Sequence, residues 1–143
     1  MLDRLLHEVY DNLSLPVRST VGSAGYDFIT PRTIVLKPGE SILIPTGIRC
    51  QMDPDWVLMI YPRSGLGFKY QLSLANTTGI IDEDYFFANN EGHIMVKLVN
   101  RGSKVYECDS MTRIVQGIFI PYEVTIDDTA KGERRGGFGS TGE

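Results

Sequence analysis

The sequence predicts a single all-β domain, a jelly-roll-like barrel or sandwich, that carries an extended C-terminal arm. Short apolar segments rich in β-branched residues recur, and turn signals separate them about every eight to twelve residues, which is typical of sandwiches, jelly rolls and barrels. The stretch 127–143, by contrast, is rich in glycine and offers little to bury except Phe138. We therefore expect a β core over residues 1–126 and an arm over residues 127–143, both within one domain.

Length and composition exclude several classes of protein. The chain has 143 residues, of which 42% are hydrophobic and 22% charged, as in one ordinary globular domain. Its formal net charge is −4 and no run rich in lysine or arginine is present, so we expect no nucleic-acid partner. No segment has the composition of a signal peptide or the length of a membrane span, so we expect a soluble, cytoplasmic protein with no membrane partner.

Cysteine and histidine are too sparse to suggest a site of their own. Cys50 and Cys108 have no metal-binding or redox spacing, so we expect two reduced, partly buried thiols. His7 and His93 are far apart in the chain, and we interpret both as structural residues.

The individual elements are predicted from periodicity and turn residues. Met1–Leu13 has a helical spacing of apolar residues and favours a short amphipathic helix, although a strand could equally begin at Val9. Residues 15–18 read as extended chain, and from Ile34 onward the pattern predicts strands throughout. These predicted strands are 34–36, 41–44, 48–52, 56–61, 93–100, 105–108 and 113–121. The strand 56–61 is the most apolar and is expected to cross the core.

The stretch Asn76–Tyr85 is the strongest candidate for a functional site. Turn residues precede the β-branched pair Ile80–Ile81, which predicts a hairpin with an exposed backbone edge. Three consecutive acidic residues, 82–84, follow this pair and cannot all be buried, so at least one carboxylate should face a solvated cleft. One of these carboxylates is therefore a candidate general base, and an acidic surface turn is the alternative interpretation.

Two other segments have the chemistry to bind an anion. In Pro62–Gly65, Arg63 offers a planar fork for phosphate, although it could equally pair with an internal aspartate. The glycine-rich arm would be disordered as a free tail, and it would become ordered by closing on a partner where backbone amides meet an anion.

Five segments occur in an order that identifies a family. They are Ala24–Asp27, Pro62–Gly65, Gly79–Tyr85, Arg113–Gln116 and Arg134–Gly142. Together they resemble the five ordered motifs of the trimeric dUTPases, the deoxyuridine triphosphate nucleotidohydrolases. The resemblance implies a homotrimer with shared active sites and an arm that reaches a neighbour. It also implies Mg²⁺-assisted hydrolysis of dUTP to dUMP and pyrophosphate, which limits dUTP and supplies dUMP for thymidylate synthesis.

The resemblance also implies roles for the residues that act at the phosphates of the substrate. Asp82 would activate the water that attacks the α-phosphorus, and Ser64 would bond the oxygen that bridges the α- and β-phosphates. Gln116 would contact phosphate, although from the residues alone it could simply lie at the edge of a sheet. Asp27 would hold Mg²⁺ through water.

The remaining implied contacts recognise the substrate. Tyr85 would pack against deoxyribose, and Arg134 would meet the γ-phosphate. Asn76 and the backbone of 79–81 would read the uracil edge, and Phe138 would stack on the base. The implied substrate-binding set is Arg63, Ser64, Gly65, Asn76, Gly79, Ile80, Ile81, Asp82, Tyr85, Gln116, Arg134, Phe138, Gly139, Ser140 and Thr141.

The sequence departs from the family pattern at several points and leaves alternatives open. Phe86–Phe87 follows the tyrosine where the family often has Arg-Gly, and residues 88–93 lengthen the next turn. Residues 110–112 replace a usual glycine, and the spacing leaves open whether Arg134 or Arg135 reaches phosphate. One alternative function is a dCTP deaminase of the same fold, alone or combined with dUTP hydrolysis. The other is a nucleotide-dependent regulatory binding protein.

Overall fold

The structure, a computed structural model, describes residues 1–4 and 10–137. In chain order the elements are β1 (Leu2–Arg4), β2 (Val17–Arg18), β3 (Tyr26–Ile29), β4 (Ile34–Leu36), β5 (Ser41–Pro45), β6 (Ile48–Cys50), β7 (Trp56–Pro62), α1 (Ser64–Tyr70), β8 (Leu72–Leu74), β9 (Gly79–Ile81), a 3₁₀ helix (Glu83–Phe87), β10 (Met95–Asn100), β11 (Tyr106–Cys108) and β12 (Arg113–Pro121). Between residues 122 and 137 the described chain contains neither helix nor strand.

The strands form antiparallel sheets. The largest has the order β2-β3-β12-β7-β9, and a three-stranded sheet has the order β5-β10-β8. Two further pairs, β1-β6 and β11-β4, complete the described ladders. The all-β fold class predicted from the sequence is therefore confirmed.

The core lies around β7, as its apolar sequence predicted. Leu58 and Ile60 are buried on this strand, and Phe28 of β3 and Ile114 of β12 are fully buried beside it. Gly117 of β12 faces them: a Cβ there would lie 2.9 Å from Leu58 Cδ1 and 3.0 Å from Phe28 Cε2. Glycine at this position therefore lets the large apolar side chains of β7 and β3 pack against the backbone of β12.

Three expectations about local structure are wrong. Leu2–Arg4 is a strand that pairs with β6 and not part of a helix, because extended pairing with Ile48–Cys50 overrides a weak helical pattern; residues 5–9, which include His7, lie outside the described part of the chain. The β pattern is interrupted by α1 and by the 3₁₀ helix. The predicted hairpin does not form, because β8 pairs with β10 whereas β9 pairs with β7.

The turn at Asn76–Thr78 thus joins two different sheets. Thr77 adopts a left-handed conformation with φ 68°, and its N–H donates to Leu74 O at 3.1 Å. β9 is nevertheless the terminal strand of the five-stranded sheet. The expected exposed backbone edge is present without the hairpin.

Both cysteines are free, and Cys50 is buried whereas Cys108 is half-buried. Burial raises the pKa of the Cys50 thiol to about 11, so the thiol stays protonated at neutral pH.

Among the described residues, no helix is long and apolar enough to cross a membrane.

The side chain of Asn100 on β10 connects β4 with the loop that follows β10. Its side chain is fully buried; Nδ2 donates to Leu36 O at 2.9 Å and to Lys104 O at 2.8 Å, and Oδ1 accepts from Gly102 N–H at 3.0 Å. Asn100→Ala leaves these backbone groups without their partner and should lower the free energy of unfolding by roughly 2–4 kcal/mol. Urea unfolding at fixed protein concentration measures the change.

The matched control is Ser103→Ala, because Ser103 is exposed in the same loop. The free energy of unfolding of this variant should stay within about 0.5 kcal/mol of that of the parent protein. Equal stability of the two variants would contradict the assigned role of the Asn100 amide.

Candidate active site

The predicted site residues that the structure describes, Gly65 excepted, line two separate pockets. The first, here called the Asp82 pocket, has a volume of about 510 Å³ and is lined by Asn76, Gly79, Ile80, Ile81, Asp82, Tyr85, Arg134 and Gly137 among others. The second, here called the Arg63 pocket, has a volume of about 330 Å³ and is lined by Ser19, Gly25, Asp27, Arg63, Ser64 and Gln116 among others. Each pocket thus holds only part of the predicted set.

Asp82 is positioned by β9 and by the 3₁₀ helix that follows. Gly79 lies directly against β7, where a Cβ would come within 2.9 Å of Ile60 Cβ, so the strand can approach its neighbour closely. Asp82 is the N-cap residue of the 3₁₀ helix, and its carbonyl accepts from Tyr85 N–H at 3.2 Å. Its side chain is 50% exposed. A carboxylate therefore faces solvent at the pocket, as the charge argument predicted.

Tyr85 presents its ring to the pocket and turns its hydroxyl towards the protein. The residue is 6% exposed. Its hydroxyl donates to His93 O at 2.7 Å and accepts from Asn90 Nδ2 at 2.8 Å. The ring is thus held in place by two hydrogen bonds at its hydroxyl.

Arg134 reaches the Asp82 pocket of its own chain. Nε donates to Asp84 Oδ1 at 2.7 Å, and Nη2 bonds Asp82 Oδ2. Only 12% of the Arg134 side chain is exposed, and its Cζ lies 5.8 Å from the centroid of the Tyr85 ring. Arg135 is exposed, and its carbonyl accepts from Asn89 N–H at 3.2 Å. Of the two arginines, Arg134 is the one whose guanidinium lies in the pocket.

The Arg63 pocket is organised around the buried carboxylate of Asp27. Arg63 Nε lies 3.0 Å from Oδ1, Arg113 Nη1 lies 3.5 Å from Oδ2, and Ser19 Oγ donates to Oδ2 at 2.9 Å. The internal pairing that the sequence left open for Arg63 is therefore present. Its side chain is still 39% exposed, which leaves the fork accessible to a second anion.

Ser64 and Gln116 border the same pocket. Ser64 is exposed at the first position of α1, directly after β7. Gln116 lies opposite Gly25, where a Cβ would come within 2.4 Å of its Oε1. The glycine of the first motif therefore makes room for the glutamine of the fourth.

The residues around Asp27 fit a contact with Mg²⁺ through water. Ser19 Oγ donates to Oδ2, and the guanidinium groups of Arg63 and Arg113 form ion pairs with the two carboxylate oxygens. A carboxylate accepts about four hydrogen bonds, so Asp27 can also accept one from a metal-bound water, whereas two adjacent guanidinium groups oppose direct coordination. No cluster of three or more metal-binding side chains occurs within residues 1–4 and 10–137.

The two pockets lie towards opposite ends of β7. Asp82 follows Ile81, which pairs with Leu58, whereas Arg63 follows Pro62 at the far end of the strand. β7 has seven residues, which corresponds to roughly 20 Å of extended chain. Groups that act on one phosphorus must lie within a few ångströms of the reacting atoms. A single chain therefore does not bring Asp82 and Ser64 together.

Some residues of the sites were not predicted, and others lie outside the described residues. Asp84 was not predicted as a partner of Arg134, nor were Arg113 and Ser19 as partners of Asp27. Arg113 reaches Asp27 through the pairing of β12 with β3, and Ser19 through the pairing of β2 with β3, and the sequence specifies neither pairing. The predicted residues Phe138, Gly139, Ser140 and Thr141 lie outside the described residues.

Comparison with known proteins gives a consistent result. A family model described as dUTPase matches residues 11–142. The deoxyuridine 5'-triphosphate nucleotidohydrolase of Lactococcus lactis is 42% identical over 133 residues, which cover 91% of this chain and 89% of the relative.

Solved structures of dUTPases have the same fold. The dUTPase from Streptococcus mutans superposes with a TM-score of 0.74 at 32% identity, over 87% of this chain and 97% of that chain. A mutant dUTPase from phage phi11 of S. aureus, described with a structural Mg(II) ion, superposes with a TM-score of 0.72 at 21% identity, over 92% of this chain and 97% of that chain. The order of the motifs, the all-β fold and these matches lead to one conclusion: this chain belongs to the dUTPase family.

Proposed function

We propose that this chain hydrolyses dUTP to dUMP and pyrophosphate in a homotrimer whose active sites are shared between subunits. The single observation that carries the proposal is the separation of the two pockets at opposite ends of β7. In a closed symmetric oligomer the Asp82 pocket of one chain can face the Arg63 pocket of another. The same reaction limits dUTP and supplies dUMP for thymidylate synthesis.

In this proposal Asp82 is the general base. Its exposed carboxylate takes a proton from a water molecule, and the water oxygen forms a bond to the α-phosphorus. The bond between that phosphorus and the α,β-bridging oxygen breaks, and pyrophosphate leaves with the electron pair. Ser64 donates a hydrogen bond to the bridging oxygen, and Arg63 and Gln116 stabilise the negative charge on the phosphates.

Arg134 must leave the Asp82 carboxylate before Asp82 can act as a base. Its pairing with Asp82 occupies the carboxylate that the base reaction requires. We propose that the γ-phosphate draws the guanidinium away, because a phosphate offers Arg134 a bidentate anion in place of two carboxylates. Binding of the triphosphate would thereby free Asp82.

Recognition of the substrate follows from the walls of the Asp82 pocket. Asn76 and the backbone of 79–81 border the exposed edge of the sheet and would bond the uracil edge, where a cytosine would leave buried groups unpaired. The Tyr85 ring would pack against deoxyribose and exclude a 2′-hydroxyl. Phe138 would stack on the base, worth about 1–3 kcal/mol, while Gly139, Ser140 and Thr141 close around the triphosphate.

The cofactor in this proposal is Mg²⁺, which would neutralise phosphate charge when bound. Asp27 would hold it by accepting a hydrogen bond from one of its waters. The substrate is a free nucleotide, so the proposal requires neither a nucleic-acid nor a membrane partner and places the activity in the cytoplasm.

Pyrophosphate release from dUTP, dCTP, dTTP and UTP, measured side by side with Mg²⁺, tests the proposed function. We expect turnover of dUTP, with the other three nucleotides slower by at least about a hundredfold, because unpaired buried polar groups and steric exclusion both act against them. Ammonia release from dCTP would contradict the proposal in favour of a deaminase. Turnover of none of the four would favour a binding protein.

A further inference from the structure

The hydroxyl of Tyr85 is held from two sides. It has one proton, which it donates to His93 O at 2.7 Å, and it therefore needs a donor for its remaining hydrogen bond. Asn90 Nδ2 supplies that bond at 2.8 Å. Asn90 Oδ1 in turn accepts from Gly92 N–H at 3.3 Å, which fixes the orientation of the amide with its NH₂ group towards Tyr85.

The C-terminal arm packs against the same asparagine side chain. Gly137 lies so close to it that a Cβ at this position would come within 2.8 Å of Asn90 Cγ and 3.0 Å of Asn90 Nδ2. The neighbouring Asn89 N–H donates to Arg135 O at 3.2 Å. Two adjacent residues of one loop therefore contact two positions of the arm.

The loop that carries Asn90 has a fixed shape. Gly92 has φ +71°, and a Cβ there would lie 2.6 Å from Phe86 Cα and 2.8 Å from Tyr85 O. Ala88 at the start of the loop is buried. This loop is the lengthened segment 88–93, where the sequence departs from the usual family pattern. The contacts of Asn90 therefore belong to the part of this chain that the family motif does not describe.

We propose that Asn90 is a positioning residue that ties Tyr85 to the C-terminal arm, so that discrimination against ribose and docking of the arm depend on one side-chain amide. This inference rests on the proposed function, in which the Tyr85 ring contacts the sugar. Without the Asn90 donor the ring gains freedom to move, which makes room for a 2′-hydroxyl. Without the flat amide face, Gly137 loses the surface on which it rests.

The first readout is the ratio of kcat/KM for dUTP to that for UTP. Asn90→Ala should lower this ratio roughly tenfold, the loss expected when one hydrogen bond that fixes the ring is removed. Asn90→Asp keeps the shape but cannot donate when ionised, so it should lower the ratio by a similar factor. In a Tyr85→Phe background, Asn90→Ala should lower the ratio no further, because the hydroxyl that it serves is absent.

The second readout is docking of the arm. Trypsin cleavage after Lys131, Arg134 and Arg135 is followed in the presence of a non-hydrolysable α,β-imido analogue of dUTP. Asn90→Ala and Gly137→Ala should both accelerate cleavage several-fold, because each disrupts the same contact. The matched control is Gly132→Ala, a glycine of the same arm with no atom within 4 Å of its built Cβ, which should behave as the parent protein does.

The outcomes separate this inference from the proposed function. If the parent protein fails to turn over dUTP, the proposed function itself fails. If the parent is active and Asn90→Ala slows dUTP and UTP equally, the residue only stabilises its loop and the inference is overturned. Arm cleavage in Asn90→Ala at the rate of Gly132→Ala would overturn it as well.

Discussion

Asp82→Asn is expected to lower kcat by about two to four orders of magnitude, the usual contribution of a general base. The amide keeps the shape of the side chain but cannot accept a proton from water. Because the carboxylate is half-exposed and outside the core, the variant should fold normally. Pyrophosphate release measures the loss of turnover. Calorimetry with the α,β-imido analogue should show that nucleotide binding is retained.

Asp84→Asn is the matched control for this experiment. Asp84 shares the partner of Asp82, since Arg134 bonds both carboxylates, but it has no proposed role in proton transfer. Its replacement should change kcat by less than about tenfold, the scale of an exposed ion pair. Equal losses of kcat in the two variants would show that the carboxylates act by anchoring Arg134 and would contradict the assignment of Asp82 as the base.

The core strands could be predicted because the pattern that signals each of them, an apolar run bounded by turn residues, lies within one short segment. β12 spans 113–121, as the sequence predicted, and the apolar run 56–61 became β7, an interior strand of the largest sheet. Both strands bury large apolar side chains against each other. Their order in the sheet, by contrast, depends on contacts between distant segments that no local pattern specifies.

The helix α1 was not predictable for the opposite reason. It contains Gly65 and Gly67, which disfavour helix, and Leu66 is its only buried residue, so no helical stripe is visible in the sequence. Its C-cap residue is Gln71, which is left-handed with φ 54° and donates its N–H to Gly67 O at 3.0 Å. Tertiary context fixes this short helix more than its own residues do.

The acidic half of the candidate site could be predicted further than the other half. The cost of burying charge predicted, without knowledge of the fold, that at least one carboxylate of residues 82–84 faces a solvated cleft. Asp27 instead depends on Arg63, Arg113 and Ser19, which meet it only after β2, β3, β7 and β12 have paired. No spacing in the sequence signals that arrangement.

The proposed sharing of the active site predicts the second large effect, a recovery of activity when two inactive variants are combined. Asp82→Asn removes the proposed base, and Ser64→Ala removes the hydroxyl at the other end of β7. Both side chains are exposed, so both variants should fold and assemble. If Asp82 and Ser64 of one site come from different subunits, some sites in a mixed oligomer contain both.

The decisive measurement is pyrophosphate release from dUTP after the two variants have been unfolded together and refolded at a 1:1 ratio. Random assembly of a symmetric oligomer gives about a quarter of all sites an intact pair, so we expect about a quarter of the activity of parent protein treated in the same way. Activity no greater than the mean of the two variants refolded separately would contradict the account, because it would mean that Asp82 and Ser64 serve the same site only from within one chain.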